Sequence, residues 1–428
     1  MSNTNNSLLP PLSIEQFKLE NGLRVVLSPD NSVPVVSVAV YYDVGSRNER
    51  EGRSGFAHLF EHMMFQGSEN VGKTEHFQFI MKAGGTMNGT TSEDRTNYYE
   101  TLPANQLPLA LWLESDRMRS LKVTIENFEN QRKVVQEEKR LRYDNQPYVN
   151  AILRLNEMVY QNFANAHSVI GSMEDLDAAT VADVQDFFRI YYAPNNAVLT
   201  IVGSFEPEEA KQLVAKFFAS IPAQSQPPQV NVDEPSTVAA TQDTYVDQFA
   251  PLPAFIMAWK IPPRRTSEFN ALYLAGKLLF DGDSSRLYQK LVKGEESVVQ
   301  LFGSLDERRG PSAMWIGAIP KPDRDLDHIR HSIADEIKEL ATIGVTAEEM
   351  EKLRNQLLSD EVRGRQSTLF RAQRIAEFAL YDDDPTLINT EFEELMRVTP
   401  DEIKGAVAKF LDTENRANID VVPVTAVG

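Results

Sequence analysis

Two of the six histidines in this chain, His58 and His62, stand four residues apart in the stretch GFAHLFEHMMF, which begins at Gly55. On a helix that spacing puts both imidazoles on one face, one turn apart, where they can grip a single metal ion. Glu61 immediately precedes the second histidine. The order H-x-x-E-H reverses H-E-x-x-H, the spacing in which two histidines hold zinc and a glutamate assists hydrolysis. The neighbours Phe56, Ala57, Leu59, Phe60, Met63, Met64 and Phe65 are apolar, so the segment reads as a buried helix. A carboxylate in such surroundings is costly unless a cation compensates it. A lone core histidine would be structural, whereas the full pattern points to zinc.

A catalytic zinc site needs a third protein ligand and keeps a fourth position for water. NQRKVVQEEKRL, from Asn130, is a helix with two adjacent candidates, Glu137 and Glu138. At about 100° per residue, Phe128, Val134, Val135 and Leu141 form one face, and Glu138 falls near its middle. Glu137 falls toward the edge. Glu138 is therefore the expected ligand, and Gln131, on the same face, the expected hydrogen-bond donor behind it. His76 follows an expected Thr74 cap and reads as solvent-facing. His167, His328 and His331 lack a constellation and read as structural or surface residues.

These elements belong to a chain of 428 residues, enough for two or three domains. The net charge of -19 excludes general nucleic-acid binding and docking on anionic membranes, and suits cationic ligands. The absence of cysteine excludes disulfides, thiolate ligands and a cysteine nucleophile. No apolar run reaches the length of a membrane span. The opening MSNTNNSLLPPLSIEQ lacks the regions of a signal peptide. The expected compartment is thus the cytoplasm, or the periplasm if a signal has been removed.

PAQSQPPQVNVDEPSTVAATQD, residues 222–243, is rich in Pro, Ser and Gln and reads as a linker between domains 1–221 and 244–428. The halves show a faint repeat. PVVSVAVYYDVGS from Pro34 and PAFIMAWKIPP from Pro253 are each a strand followed by a helix. TVADVQDFFRIYYAPNNAVLTIVG from Thr180 and TPDEIKGAVAKFLDTENRANIDVV from Thr399 are each a Thr-capped helix, a polar turn and an apolar strand. Two α+β halves of similar topology are expected. Aligned on Phe65 and Phe280, His58, Glu61 and His62 face Tyr273, Gly276 and Lys277, so only the first half carries the chemistry.

The sequence resembles the pitrilysin or insulinase-type zinc metallopeptidases, the inverzincins. It is most similar to the short two-domain branch with mitochondrial processing peptidase and its bacterial relatives. The resemblance rests on VGSRNEREGRSGFAHLFEHMMFQGS from Val44, GGTMNGTTSEDRTNYYETLP from Gly84 and QRKVVQEEKRLRYDNQPY from Gln131. It also rests on GSMEDLDAATVADVQDFF from Gly171 and YYAPNNAVLTIVG from Tyr191. It runs through essentially the whole chain, densest in the first half. It implies zinc held by His58, His62 and Glu138, with Glu61 as general base toward a zinc-bound water. It implies homologous halves, each a mostly antiparallel sheet with helices on one face.

Thr86, Asn88 and Thr90 alternate in a small, polar strand after Gly84-Gly85. Such a strand reads as an edge that can take a peptide by strand addition, and the resemblance points to Asn88 as a groove residue. Active relatives also carry an Arg and, seven residues later, a Tyr in the second half. The matching stretch SSRLYQKLVKGEESVVQLFG from Ser284 has Val292 and Val299 there. Arg286 and Tyr288 have the wrong spacing, and Arg286 reads as a structural contact. The expected function is a zinc endopeptidase for extended or unfolded peptides. It would work with a related subunit that supplies the Arg and Tyr, or form a homodimer when alone. The competing readings are a non-catalytic assembly or scaffold subunit of the same family, and a metal-dependent hydrolase of non-peptide substrates.

Overall fold

The structure is a computed structural model that describes residues 8–412 and 415–424. It holds two compact units, each assembled from separated stretches of chain. The first takes the described residues up to Glu137, with Ser168–Val230 and Ser359–Glu393. The second takes Glu138–His167, Asn231–Leu358 and the described residues from Glu394 onward.

The first unit is built on six strands: β1 (Glu15–Lys18), β2 (Arg24–Pro29), β3 (Val35–Tyr42), β4 (Thr86–Thr91), β5 (Thr96–Pro103) and β6 (Ala197–Gly203), in the order β1-β2-β6-β3-β5-β4. Only β2 and β6 run parallel. The second unit has five: β7 (Thr241–Asp247), β8 (Ala254–Ile261), β9 (Val298–Asp306), β10 (Ser312–Pro320) and β11 (Ala417–Pro423), in the order β7-β11-β8-β10-β9, with β7 and β11 parallel. Strand for strand, β2 to β6 and β7 to β11 share one topology, and β1 is an addition to the first sheet. The expected α+β halves are present, each sheet mostly antiparallel.

The halves of the sequence do not coincide with the compact units, because each unit borrows a helix from the other half. In the first, the helix Thr368–Tyr381 lays Ala372, Ile375, Ala376 and Phe378 against Val26, Ala39, Tyr41 and Val198. In the second, a helix spanning Val149–Val159 packs Ala151, Leu155 and Val159 against Ile256, Ala258 and Ile419. Each sheet is therefore covered on two faces rather than on one as expected. Tyr42, beside Tyr41 but facing the other way, meets Tyr192 at 4.4 Å between ring centroids. In the second sheet, Arg330 lies over Phe255, next to Ile256, at 5.0 Å. Two-sided burial explains why VVSVAVYY and AFIMAWKI are near-continuous apolar runs without alternation.

Residues 222–240 form neither helix nor strand, and Thr241–Asp243 already belong to β7. The stretch expected to be a plain linker is divided between the units, up to Val230 in the first and from Asn231 anchored within the second. The Glu234 carboxylate accepts from the N–H of Asn162 at 2.8 Å and pairs with the buried Lys260 at 2.9 Å. Among the described residues no helix is long and apolar enough to cross a membrane.

Arg286 is structural. It grips Glu349 through two hydrogen bonds of 2.7 and 2.8 Å and donates to the Gly344 carbonyl at 2.9 Å. Burial opposes ionisation of Glu349, but the Arg286 fork and the Thr346 hydrogen bonds outweigh it and hold the carboxyl at about 2. A depressed carboxylate stabilises the fold above its ordinary value of about 4.5, and that contribution is lost as pH falls toward 2. Glu349→Gln should cost about 1 kcal/mol at pH 7, a modest figure because the pair is partly solvated. It should also flatten the stability loss between pH 4.5 and 2, as read by urea unfolding across that range.

Candidate metal centre

The short helix α1 (Phe56–Met63) carries the histidines. Eight residues do not make a stable helix alone, so its ends are fixed from outside. Gly55 begins it at φ +84, and a Cβ there would lie 2.7 Å from the Ile170 carbonyl. Glu49 reaches forward so that its carboxylate accepts from the N–H groups of Gly55 at 2.8 Å and Ala57 at 2.7 Å. An anion on the first N–H groups also complements the helix dipole. Phe56, Ala57, Leu59, Phe60 and Met63 are buried, with Phe60 against Tyr192 at 4.2 Å. The remaining face presents His58, Glu61 and His62, all half-buried.

The helices α2 (Glu75–Lys82) and α3 (Leu107–Arg119) follow, then α4 (Ile125–Lys139), whose Gln136 is held by Asp177 at 2.7 Å. The division between the compact units falls between Glu137 and Glu138, inside α4, so Glu138 rides on a helix whose body belongs to the first unit. The structure brings His58, His62 and Glu138 together, with a ligand atom of each within 4.8 Å of the others. The imidazole rings are 4.8 Å apart at 74°. Two nitrogens and one carboxylate oxygen, none fully buried, are a donor set that fits a divalent ion with a coordination position left open. Glu138 also pairs with Arg142 at 3.0 Å. Glu61 lies beside the group, 3.6 Å from His58 Nδ1, and its Oε2 accepts a 2.6 Å hydrogen bond from Thr91.

Glu138 reaches this group for a different reason from the helical-wheel argument. The structure buries Phe128, Gln131, Val135 and Gln136 but leaves Val134 41% and Leu141 56% exposed. The chain passes into a π-helical turn over Arg140–Asp144, where 100° per residue no longer applies. Gln131 donates to Asn130, not to Glu138. Seven residues of helix, about 10 Å, put the ligand out of its reach.

β4 is the terminal strand of its sheet. Thr86 and Asn88 are exposed. Thr90 is engaged within the hairpin, donating to Asn97 at 2.7 Å and accepting from Arg95 at 2.6 Å. The contact toward α1 comes from the alternate face, through Thr91. Sequence reasoning passed over that residue, although it lies next to Thr90.

Two family models match: the insulinase peptidase family M16 over residues 24–172, and the peptidase M16 inactive domain over residues 178–357. The chain belongs to the M16 family. It is 28% identical over 404 residues to a zinc protease of Helicobacter pylori, PqqE, covering 94% of this chain and 91% of that one. It is 24% identical over 258 residues to a probable mitochondrial-processing peptidase subunit beta of Arabidopsis thaliana, covering 60% of this chain and 48% of that one. The crystal structure of a protease from Helicobacter pylori superposes with a TM-score of 0.92 at 26% identity, over 97% of this chain and all of the other.

In this M16 chain His76 is buried, 4% exposed, and not solvent-facing. Thr74 takes a left-handed conformation and makes no side-chain cap. His76 Nε2 lies 3.4 Å from Glu100, and with Glu114 they form a second cluster of potential ligands. Arg117 already neutralises it, paired with Glu114 and stacked over Tyr98 at 4.3 Å. Burial pushes His76 down to about 3, which suits a neutral ring, and raises Glu100 to about 7 against the pull of Arg117. His167 stacks on Phe163, and His328 and His331 sit on the surface of the second unit.

Glu138→Ala should weaken zinc binding by roughly 100-fold or more, and exposed Glu137→Ala by far less, because only Glu138 joins the ligand group. Competition with a chromophoric chelator measures both.

Proposed function

We propose that the chain is a zinc-dependent endopeptidase acting on extended or unfolded peptides, and the catalytic member of a pair of related chains. The observation that carries the reading is the convergence of His58, His62 and Glu138 within 4.8 Å, with Glu61 on the same helix. The zinc protease name of the Helicobacter relative supports it. His58, His62 and Glu138 hold the ion, which when bound supplies Lewis acidity to the scissile carbonyl and to water. Glu61 takes the proton of the attacking water and returns it to the leaving amine. β4, as a terminal strand, takes the peptide by strand addition.

Val292 and Val299 stand where the family resemblance places the Arg and Tyr. Val299 is exposed on β9. Neither valine can donate a hydrogen bond to a developing oxyanion. A second, related chain supplies that function.

Wild type and Glu61→Gln are assayed on a long unstructured peptide, alone and with a candidate partner chain, and their zinc is measured. The expected outcome is equal zinc in both and weak cleavage by wild type alone. The partner should raise cleavage at least tenfold, and the glutamine variant should lose more than about 100-fold. Cleavage by Glu61→Gln at the wild-type rate refutes the base. Full activity of the isolated chain refutes the partner. Absence of cleavage in every combination leaves the scaffold reading.

A further inference from the structure

We infer that Thr91 is a positioning residue for Glu61, tying the peptide-accepting strand to the group that moves the proton; this rests on the endopeptidase reading above. Thr91 is the last residue of β4 and pairs with Thr96 across the hairpin. Residues along a strand alternate between faces. Thr86, Asn88 and Thr90 share one face, and Gly89 and Thr91 the other. Gly89 lies opposite Tyr98 in the ladder, and a Cβ on it would come within 3.1 Å of the Tyr98 ring. Tyr98 in turn meets Phe65, just past the end of α1, at 5.7 Å. The face of β4 that carries Thr91 is thus the one turned toward α1.

There the Thr91 hydroxyl donates to Glu61 Oε2 at 2.6 Å. A hydroxyl on a carboxylate at that distance is a short, charge-assisted bond. Two features make it a positioning contact. The β-branched threonine has few χ1 choices, so the donor direction is set by the strand backbone. Glu61 sits on a two-turn helix with its side chain 12% exposed, where without a partner a glutamate still has more than one rotamer open to it. With Oε2 held by Thr91, the proton-accepting role falls to Oε1. A peptide added along β4 fixes the same strand that fixes Glu61, so binding and proton transfer share one element.

The test uses Thr91→Val, which keeps the branched shape and removes the donor, and Thr91→Ser, which keeps the donor. Both are made in the full chain, with its partner chain present if that is the state that cleaves. Thr91→Val should lower kcat about tenfold with KM and zinc content unchanged and the protein still folded, and Thr91→Ser should recover most of the loss. In the non-cleaving Glu61→Gln background, adding Thr91→Val should leave the affinity for a fluorescent peptide unchanged. A double-mutant cycle of Thr91→Val with Glu61→Ala, read by urea unfolding, should be non-additive. The cycle requires no activity, and additivity there overturns the inference. Wild-type kcat in Thr91→Val beside a dead Glu61→Gln overturns it alone and leaves the endopeptidase reading standing. An equal loss in Thr91→Ser, or a loss confined to KM or zinc, also overturns it. An active Glu61→Gln instead removes the reading on which it rests.

Discussion

The metal centre depends on holding a helix of eight residues that cannot hold itself. α1 must bury five apolar side chains and still keep two imidazoles and a carboxylate at its open face. What fixes it is the carboxylate of Glu49 on the N–H groups of Gly55 and Ala57. Those two bonds tie the start of α1 to the preceding turn. Gly55 completes the constraint, since both its positive φ and its closeness to Ile170 forbid a side chain. With that start held, the four-residue spacing places His58 and His62 without further instruction. Glu138 arrives from α4, the helix that Asp177 secures through Gln136.

The repeated topology shows what becomes of the same position without chemistry. In the helix Ser267–Leu279, Lys277 lies over the Tyr273 ring at 5.4 Å and pairs with Asp281 at 3.0 Å. A Cβ at Gly276 would press on the Phe280 ring at 3.0 Å. The positions aligned with His58, Glu61 and His62 hold a ring, a close packing contact and a cation. The two sheets share one strand order, while these helix positions differ in what they pack against.

Local patterns were legible in the sequence, and contacts between distant stretches were not. H-x-x-E-H states its own geometry, because four residues are one turn. Capped helices after Thr180 and Thr399 are also local signals, and both appear with full capping boxes. The exchange of helices was hidden, since nothing in Thr368–Tyr381 says that its apolar face meets β3 and β6 rather than its own half. His76 was misread for the same reason. Its environment is built by Glu100, Glu114 and Arg117, which lie far along the chain. The wheel drawn through Val134 and Leu141 assumed one helical period, and the π-helical turn after Lys139 broke it. Glu138, rather than Glu137, lies with His58 and His62, while two of the four residues used to choose it are exposed.

The central claim is that two imidazoles and a carboxylate of this chain hold a zinc ion with a position left for water. X-ray absorption at the zinc edge, on wild-type protein loaded with one equivalent of zinc, tests it most directly. The account predicts a nitrogen and oxygen shell at about 2.0–2.1 Å with the outer-shell scattering of two histidines and no sulfur. Zinc that washes out on dialysis, or a shell without imidazole scattering, would contradict it.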